Sequence, residues 1–198
     1  TVTIAANGQI GNSVIDTLEF DTANGFEPSL IHVSGDVYAI AYRGTGDDGF
    51  LITVTIAANG QIGNSVIDTL EFDPANGYEP VIIYVSDDVY AVAYRGSSNN
   101  GFLVTATIAA DGQIGNAVID TLIFDTSSGY QPTLLNVSGD ICAIAYQGPN
   151  SDGFLSTIGI SSGTATYRID SVSGGCTITA SAQFTDTGIR IASWEVQR

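Results

Sequence analysis

The sequence predicts an all-β fold built from a repeated unit of four short strands. Residues 1–21 return unchanged at residues 53–73, and a third copy with a few changes occupies residues 105–125, so the repeat spans 52 residues. Apolar and polar residues alternate with the period of two that strands show, and no segment shows the helical period. The pair Asn59-Gly60 follows one such segment and predicts a two-residue hairpin turn.

The copy that begins at Gly49 shows the four predicted strands in order. Residues 49–58 alternate up to the Asn-Gly turn, and residues 65–73 alternate as a half-exposed strand would. Residues 81–86 and 89–94 are apolar on both faces, which predicts strands buried on both sides. The last two strands are therefore expected in the interior of the assembly.

A four-stranded unit of this length is typical of a β-propeller blade. In this interpretation residues 81–86 line a central channel and residues 65–73 form the rim. Three units are too few for a ring of four or more blades, so an incomplete ring is expected. A β-trefoil is the alternative, but residue 1 lies partway along a strand that begins at Gly49 and Gly101 in the later copies. This pattern predicts a ring completed by missing upstream blades or by other copies of the chain.

A change in charge marks the predicted domain boundary. The chain has 21 Asp and Glu against five Lys and Arg, a net charge of -16, yet residues 157–198 are neutral. We therefore predict repeats over 1–156 and a C-terminal three-stranded antiparallel sheet in 157–198. Within that sheet, Trp194 is out of phase with Ile189 and Ile191, which predicts a bulge near Ser193.

The acidic balance also limits the partners that are expected. A surface of this charge repels phosphate backbones and anionic lipids, so neither nucleic acid nor a membrane surface is an expected partner. No stretch of about 18 apolar residues predicts a transmembrane helix. Cationic partners and divalent ions remain compatible with the composition.

The two cysteines predict a disulfide. Cys142 replaces Tyr38 and Tyr90 of the other units, and it does so only in the repeat that adjoins the segment carrying Cys176. A disulfide between Cys142 and Cys176 would imply an oxidising compartment outside the cytosol. Two unpaired buried thiols are the alternative.

The turn after the second buried strand is a candidate calcium site. It reads TGDDGF at residues 45–50 and PNSDGF at residues 149–154. Asp47, Asp48 and Asp152 offer the oxygen ligands that Ca²⁺ prefers, but six or more oxygens are needed. The first turn also resembles the Asp-box of sialidase-like propellers, so a structural turn is the favoured interpretation. No cofactor other than Ca²⁺ is expected.

Two sets of equivalent residues are candidate ligand-binding positions. The first set lies on the strand assigned to the channel and differs between units, through either ligand binding or drift: His32, Tyr84 and Asn136. The second set is aromatic, lies in the loops between units and could bind one sugar per blade: Phe26, Tyr78 and Tyr130. A third set is expected to make a repeated structural hydrogen bond to a loop or neighbouring blade, because a catalytic acid would be expected in one blade only: Asp16, Asp68 and Asp120.

The composition argues against an enzyme. The chain has one His and no Lys, so a repeated base-activated nucleophile and a lysine Schiff base are both excluded, although a carboxylate pair is not. A sialidase would need an arginine cluster, and the repeats hold only Arg43 and Arg95. A non-enzymatic protein is therefore predicted.

Two segments resemble known families. YRIDSVSGGCTITASAQFTDTGIRIASWEV resembles the C-terminal sheet of type IV pilin-like surface proteins, and the repeats, with VSGDVYAIAYRG and DGFL, resemble blades of secreted prokaryotic, archaeal-type β-propeller proteins. The resemblances imply an extracellular or cell-surface protein that reaches a membrane only through an apolar N-terminal helix, which this sequence lacks.

The expected function is a structural or adhesive surface protein or filament component that displays a propeller. A carbohydrate-binding propeller with glycan partners is the first alternative. A fragment of a propeller glycoside hydrolase or lyase is the second.

Overall fold

A computed structural model describes residues 1–160, together with strands at 177–185 and 188–197. The chain divides into two compact units, Thr1–Ile158 and Gly159–Arg198. The first contains three antiparallel sheets and the second contains a two-stranded sheet. No helix in the described part of the chain is long and apolar enough to cross a membrane.

Sheets I, II and III have their strands in sequence order, as successive hairpins produce. Sheet I consists of β1 (Phe26–Ser34), β2 (Val37–Arg43), β3 (Gly49–Thr55) and β4 (Asp68–Asp73). Sheet II consists of β5 (Tyr78–Ser86), β6 (Val89–Arg95), β7 (Gly101–Thr107) and β8 (Asp120–Asp125). Sheet III consists of β9 (Tyr130–Ser138), β10 (Ile141–Gln147) and β11 (Gly153–Gly159).

The architecture confirms the predicted all-β fold of repeated blade-like units. The three sheets are separate and do not merge into a threefold barrel, and they do not close a ring. In the part of the chain that the structure describes, sheet III has three strands, and the sequence that forms β4 and β8 is not repeated after β11. Counted from the glycine that begins each predicted unit, the copies at Gly49 and Gly101 form all four predicted strands, β3–β6 and β7–β10, whereas the first copy does not form the rim strand.

Residues 1–25 form no strand, although they repeat the sequence of β4 and the hairpin before it. Their one bridge joins Ile4 to Ile10. The equivalent residues 68–73 form β4 because they pair with β3. Residues 1–3 repeat only the last three residues of β3, so residues 16–21 have no comparable partner strand among the residues that the structure describes. The rim strand was also predicted too long, since it begins at Asp68 rather than at Ser65.

The Asn-Gly hairpin is a turn, but its loop has three residues instead of the predicted two. Ala57 N donates to Gln61 O at 2.8 Å, and Gly60 N donates to Ala57 O at 2.8 Å. Gly60 has a φ of 86°, the left-handed conformation that a three-residue hairpin loop requires at its last position.

The first strands of the sheets, β1, β5 and β9, contact one another in that order. Each contains a bulge whose residue has a positive φ: 54° at Glu27, 55° at Glu79 and 48° at Gln131. A non-glycine residue in this region is strained and needs compensating contacts. The bulges therefore indicate positions where the neighbouring sheet fixes the backbone.

The core is one cluster of buried side chains shared by sheets I and II. β6 is buried on both faces from Tyr90 to Tyr94, as the sequence predicts. β5 is less buried than predicted, because Tyr84 is 47% exposed. Sheet II has a neighbouring sheet on each side, and this accounts for the burial of both faces of β6.

The C-terminal unit contains β12 (Thr177–Thr185) and β13 (Gly188–Gln197). Ser181 pairs with Ser193 and Ala182 with Ile191, so one residue of β13 is unpaired and the predicted bulge near Ser193 is confirmed. The remaining predicted strand, residues 165–172, lies outside the described residues.

Candidate functional site

A row of alternating aromatic and arginine side chains crosses the three sheets. The Arg43 guanidinium carbon lies 4.5 Å from the ring centroid of Phe26 and 4.9 Å from that of Tyr78. Arg95 lies in the same way 4.2 Å from Tyr78 and 4.7 Å from Tyr130. We call these five residues the arginine–aromatic ladder. Each such contact contributes about 0.5–2 kcal/mol, so the ladder links sheet I to II and II to III.

Carboxylates neutralise the arginines of the ladder. Arg43 Nε donates to Glu27 Oε2 at 3.1 Å, and its Nη1 donates to Asp47 Oδ1 at 2.6 Å. The Tyr78 hydroxyl donates to Asp47 Oδ2 at 2.7 Å. These two donors, first Tyr78 and then Arg43, lower the pKa of Asp47 below its usual value. Asp47 Oδ1 thus binds an arginine of its own sheet, and Oδ2 binds a tyrosine of sheet II.

The bulge residues make a second repeated bond between sheets. Glu79 N donates to Glu27 Oε2 at 2.8 Å, and Gln131 N donates to Glu79 Oε2 at 2.7 Å. The strained backbone therefore directs an amide at the carboxylate of the preceding sheet. The same carboxylates bind Arg43 and Arg95, at 3.1 and 3.4 Å.

Two of the three aspartates of the third set make the structural bond that was predicted for them, and within the described ranges Asp120 accepts only from its neighbour Thr121 N, at 2.8 Å. Asp16 Oδ2 accepts from Ile62 N, and Asp68 Oδ2 accepts from Ile114 N, each at 2.8 Å and each 46 residues along the chain. The backbone amides of Ile62 and, less strongly, Thr17 lower the pKa of Asp16. The hairpin of each later copy is therefore held by the copy before it.

The aromatic candidates Phe26, Tyr78 and Tyr130 are all members of the ladder. The guanidinium groups of Arg43 and Arg95 both lie over the Tyr78 ring, at 4.9 and 4.2 Å from its centroid. Phe26 and Tyr130 each carry one arginine. The structure thus gives Tyr78 and Tyr130 contacts between sheets, whereas Phe26 contacts an arginine of its own sheet.

Two of the three channel candidates share a cavity of about 440 Å³ between sheets I and II. His32 and Tyr84 line it together with Asp87, Asp88 and Tyr90. The His32 Nε2–H donates to Gly35 O at 2.9 Å, since a carbonyl can only accept.

Asn136 occupies the equivalent position one sheet further on. Its amide nitrogen donates to Val85 O at 3.2 Å and to Gly139 O at 3.0 Å. It is not among the residues that line the cavity. The structure therefore brings His32 and Tyr84 together and uses Asn136 as a link between sheets II and III.

The calcium candidates are not gathered into one site. Among the described residues, no group of three or more His, Cys, Asp or Glu side chains could hold a metal ion. Asp47 is bonded to Arg43 and Tyr78, and Asp152 belongs to the equivalent turn of sheet III. Each turn is a short 3-10 segment closed by a backbone bond such as Gly44 N to Asp48 O at 2.8 Å.

Cys142 is a buried free thiol, and no disulfide is present among the described residues. It is fully buried within sheet III, opposite Asn136 on β9. Burial, and to a smaller extent Asp140, raises the pKa of this thiol, so it is not reactive where it lies. Cys176, the predicted partner, lies outside the described residues.

Sequence reasoning missed the ladder because it judged Arg43 and Arg95 only as too few for a catalytic cluster. The available signal was positional. Each arginine ends the second strand of its sheet, β2 or β6, and an aromatic residue begins the first strand of each sheet, β1, β5 or β9. In a repeat array, residues that recur at fixed positions are expected to contact their neighbours' copies. No protein-family model and no curated protein matches the chain.

Proposed function

We propose that the protein is a non-enzymatic structural or adhesive component of a cell surface or an extracellular filament. In this role the stacked sheets would form a rigid platform whose outer loops are displayed. The proposal follows from the contacts that the recurring polar and aromatic side chains make.

One observation carries the proposal: the polar and aromatic side chains that recur between units bind the neighbouring unit. Arg43, Asp47 and Tyr78 form one connected network between sheets I and II. The side chains of Arg43 and Arg95 are only 17% and 15% exposed. Groups that are satisfied in this way stabilise an assembly and are not free to act on a substrate.

The sequence resemblances support the location. The repeats resemble blades of secreted propeller proteins and the C-terminal segment resembles pilin-like surface proteins, both of which face the outside of the cell. The net charge of -16 favours a soluble outward face that repels other anionic surfaces.

Surface labelling tests the proposal. Antibodies raised against the repeats should label intact cells of the source organism, or filaments extending from them. A matched sample that has been permeabilised should show little additional signal. Labelling that occurs only after permeabilisation would contradict the proposed location and role.

Binding of a small polar ligand such as a glycan is the second candidate, and the cavity favours it. Ligand sites combine a concave surface with a few polar groups, and Tyr84, Asp87 and Asp88 supply these here. A glycan array should then show binding that Tyr84→Ala reduces at least about tenfold, the loss of one good contact. Leu30→Ala changes a residue that is 58% exposed and does not line the cavity, so it should leave binding unchanged. Equal binding by both variants would reject the cavity as the site.

A further inference from the structure

Among the described residues, sheet III has no counterpart of the outer strands β4 and β8 that complete the other two sheets. In sheets I and II, β3 and β7 pair on one side with the second strand and on the other side with β4 and β8. β11 is the equivalent strand, and among the described residues it pairs with β10 alone. An unpaired strand edge is a template for another strand of suitable sequence.

The missing strand is present in the chain, at its other end. Residues 16–21, DTLEFD, are identical to β4, and they are not in a strand. They are already held against sheet I: the Tyr42 hydroxyl donates to Asp21 Oδ2 at 3.0 Å, and the rings of Phe20 and Tyr42 meet edge to face at 5.1 Å. Phe72 and Asp73 of β4 make the same contacts with Tyr94 of sheet II.

The exposure of β11 supports an uncovered strand edge on sheet III. Leu51 of β3 is 0% exposed and Leu103 of β7 is 4% exposed, whereas the equivalent Leu155 of β11 is 73% exposed. Three equivalent leucines therefore differ only in whether a further strand and sheet cover them. Leaving such a side chain exposed forfeits about 1.5–3 kcal/mol of burial free energy.

A cavity lies at the end of the arginine–aromatic ladder, beside Tyr130. This cavity of about 370 Å³ is lined by Tyr130, Gln147, Asn150 and Ser151, among others. The equivalent place beside Arg95 is filled by Tyr130 itself. The aromatic residue that begins β1, Phe26, is 46% exposed and has the position in its unit that Tyr130 has in the third.

We propose that residues 16–34 of a second copy of this chain dock on sheet III, with residues 16–21 pairing with β11 as its fourth strand and Phe26 entering the cavity beside Gln147. The register of β3 with β4 transfers to the new pair and places Leu18 opposite Leu155 and Thr17 opposite Ser156. Glu27 N would then bond to Gln131, as Gln131 N bonds to Glu79. No segment of residues 159–198 carries the Gly-aromatic-Glu/Gln-Pro sequence that begins the first strand of each sheet, so a second copy fits this face better than the chain's own C-terminal segment.

Reciprocal docking of two copies would close a ring of sheets. Each copy would complete the sheet III of the other, which gives six sheets in a dimer, within the range of four to eight blades that closed propellers show. The described residues of one chain supply three such sheets, fewer than that range. This inference rests on the geometry of the sheets alone and does not depend on the proposed function.

Two glycines on β11 provide a matched test. A Cβ at Gly49 or Gly101 would lie 2.2 Å from the ring of the aromatic residue on the outer strand, whereas no described atom lies within 4 Å of a Cβ at Gly153 or Gly159. In the docked state Gly153→Ala would meet Phe20 and Gly25 of the second copy. Gly159→Ala should be tolerated, since the equivalent positions hold Thr55 and Thr107.

The experiment is sedimentation equilibrium of the 198-residue chain over a range of concentrations and salt. The mass should rise from 20.5 kDa toward twice that value, and added salt should favour the dimer by screening the charge of -16 on each copy. Gly153→Ala should weaken dimerisation at least about tenfold with an unchanged monomer Tm, while Gly159→Ala should associate like the unchanged chain. A chain that stays monomeric at all concentrations, or a Gly153→Ala variant that associates normally, would overturn the proposal.

Cross-linking tests the register independently. In a Cys176→Ser background, Thr17→Cys combined with Ser156→Cys should give a covalent dimer under mild oxidation. Neither single substitution should give a dimer linked between positions 17 and 156, as peptide mapping would show. A double variant that forms its bridge within one chain, or none at all, would contradict docking by a second copy.

Discussion

Tyr94→Ala is expected to destabilise the repeats more than any other single aromatic truncation. Tyr94 is 2% exposed, stacks on Phe102 at 5.5 Å, contacts Phe72 at 5.1 Å and donates to Asp73 Oδ2 at 3.0 Å. Because Phe72 and Asp73 belong to sheet I and Tyr94 to sheet II, the substitution opens a cavity at the contact between sheets. Removing a large buried ring costs about 3–5 kcal/mol, which lowers Tm by about 6–20 °C in a chain of this length.

Two variants separate packing from hydrogen bonding at this position. Tyr94→Phe keeps the ring and loses only the bond to Asp73, so it should cost about 1 kcal/mol. Tyr84→Ala removes the same ring from a site that is 47% exposed and should shift Tm little. Thermal unfolding followed by circular dichroism measures all three. Similar Tm values for Tyr94→Ala and Tyr84→Ala would show that Tyr94 does not anchor the core.

The strands could be predicted because each depends on local pattern. The alternation around Gly49 and Gly101 and the apolar segments that became β5 and β6 are read directly from neighbouring residues. The repeat then predicted that equivalent aspartates would bond between copies, and Asp16 and Asp68 do so. Local periodicity and repetition together therefore determined the fold class.

What could not be predicted depends on partners that are distant in the sequence. Residues 13–21 and 65–73 have the same sequence, yet only the second copy forms a strand, because only the second has β3 beside it. Likewise the ladder joins Arg43 to Tyr78 across 35 positions, and the cavity joins His32 to Tyr84. Pattern alone does not show which side chains face the next sheet, so the contacts of Tyr78 and Tyr130 with the arginines of the preceding sheet were not predicted.

Gly77→Ala should separate sheets I and II at the end where the ladder lies. Gly77 N donates to Asp47 O at 2.7 Å, and a Cβ on Gly77 would lie 2.3 Å from the Cα of Gly49 and 2.6 Å from its backbone N. Backbone atoms cannot rotate away as a side chain can, so the sheets must move apart. The movement would strain the Asp47 bond and the Tyr78 contacts with Arg43 and Asp47. A cost of about 3 kcal/mol or more is expected, a Tm loss of at least about 6–12 °C.

Gly25→Ala is the control for this substitution, because it makes the same change at the equivalent position of the first unit. Its Cβ would contact only the ring of Phe20, at 3.1 Å, and a ring can shift by the few tenths of an ångström required. Measured at a dilution that keeps the chain monomeric, Gly25→Ala should therefore retain most of the original Tm. Equal losses from the two substitutions would mean that the glycine acts through its own backbone flexibility. We expect the larger loss of Tm for Gly77→Ala, because two backbones approach closely at Gly77 and leave no space for a Cβ. The same approach would require glycine at this position wherever another sheet precedes it.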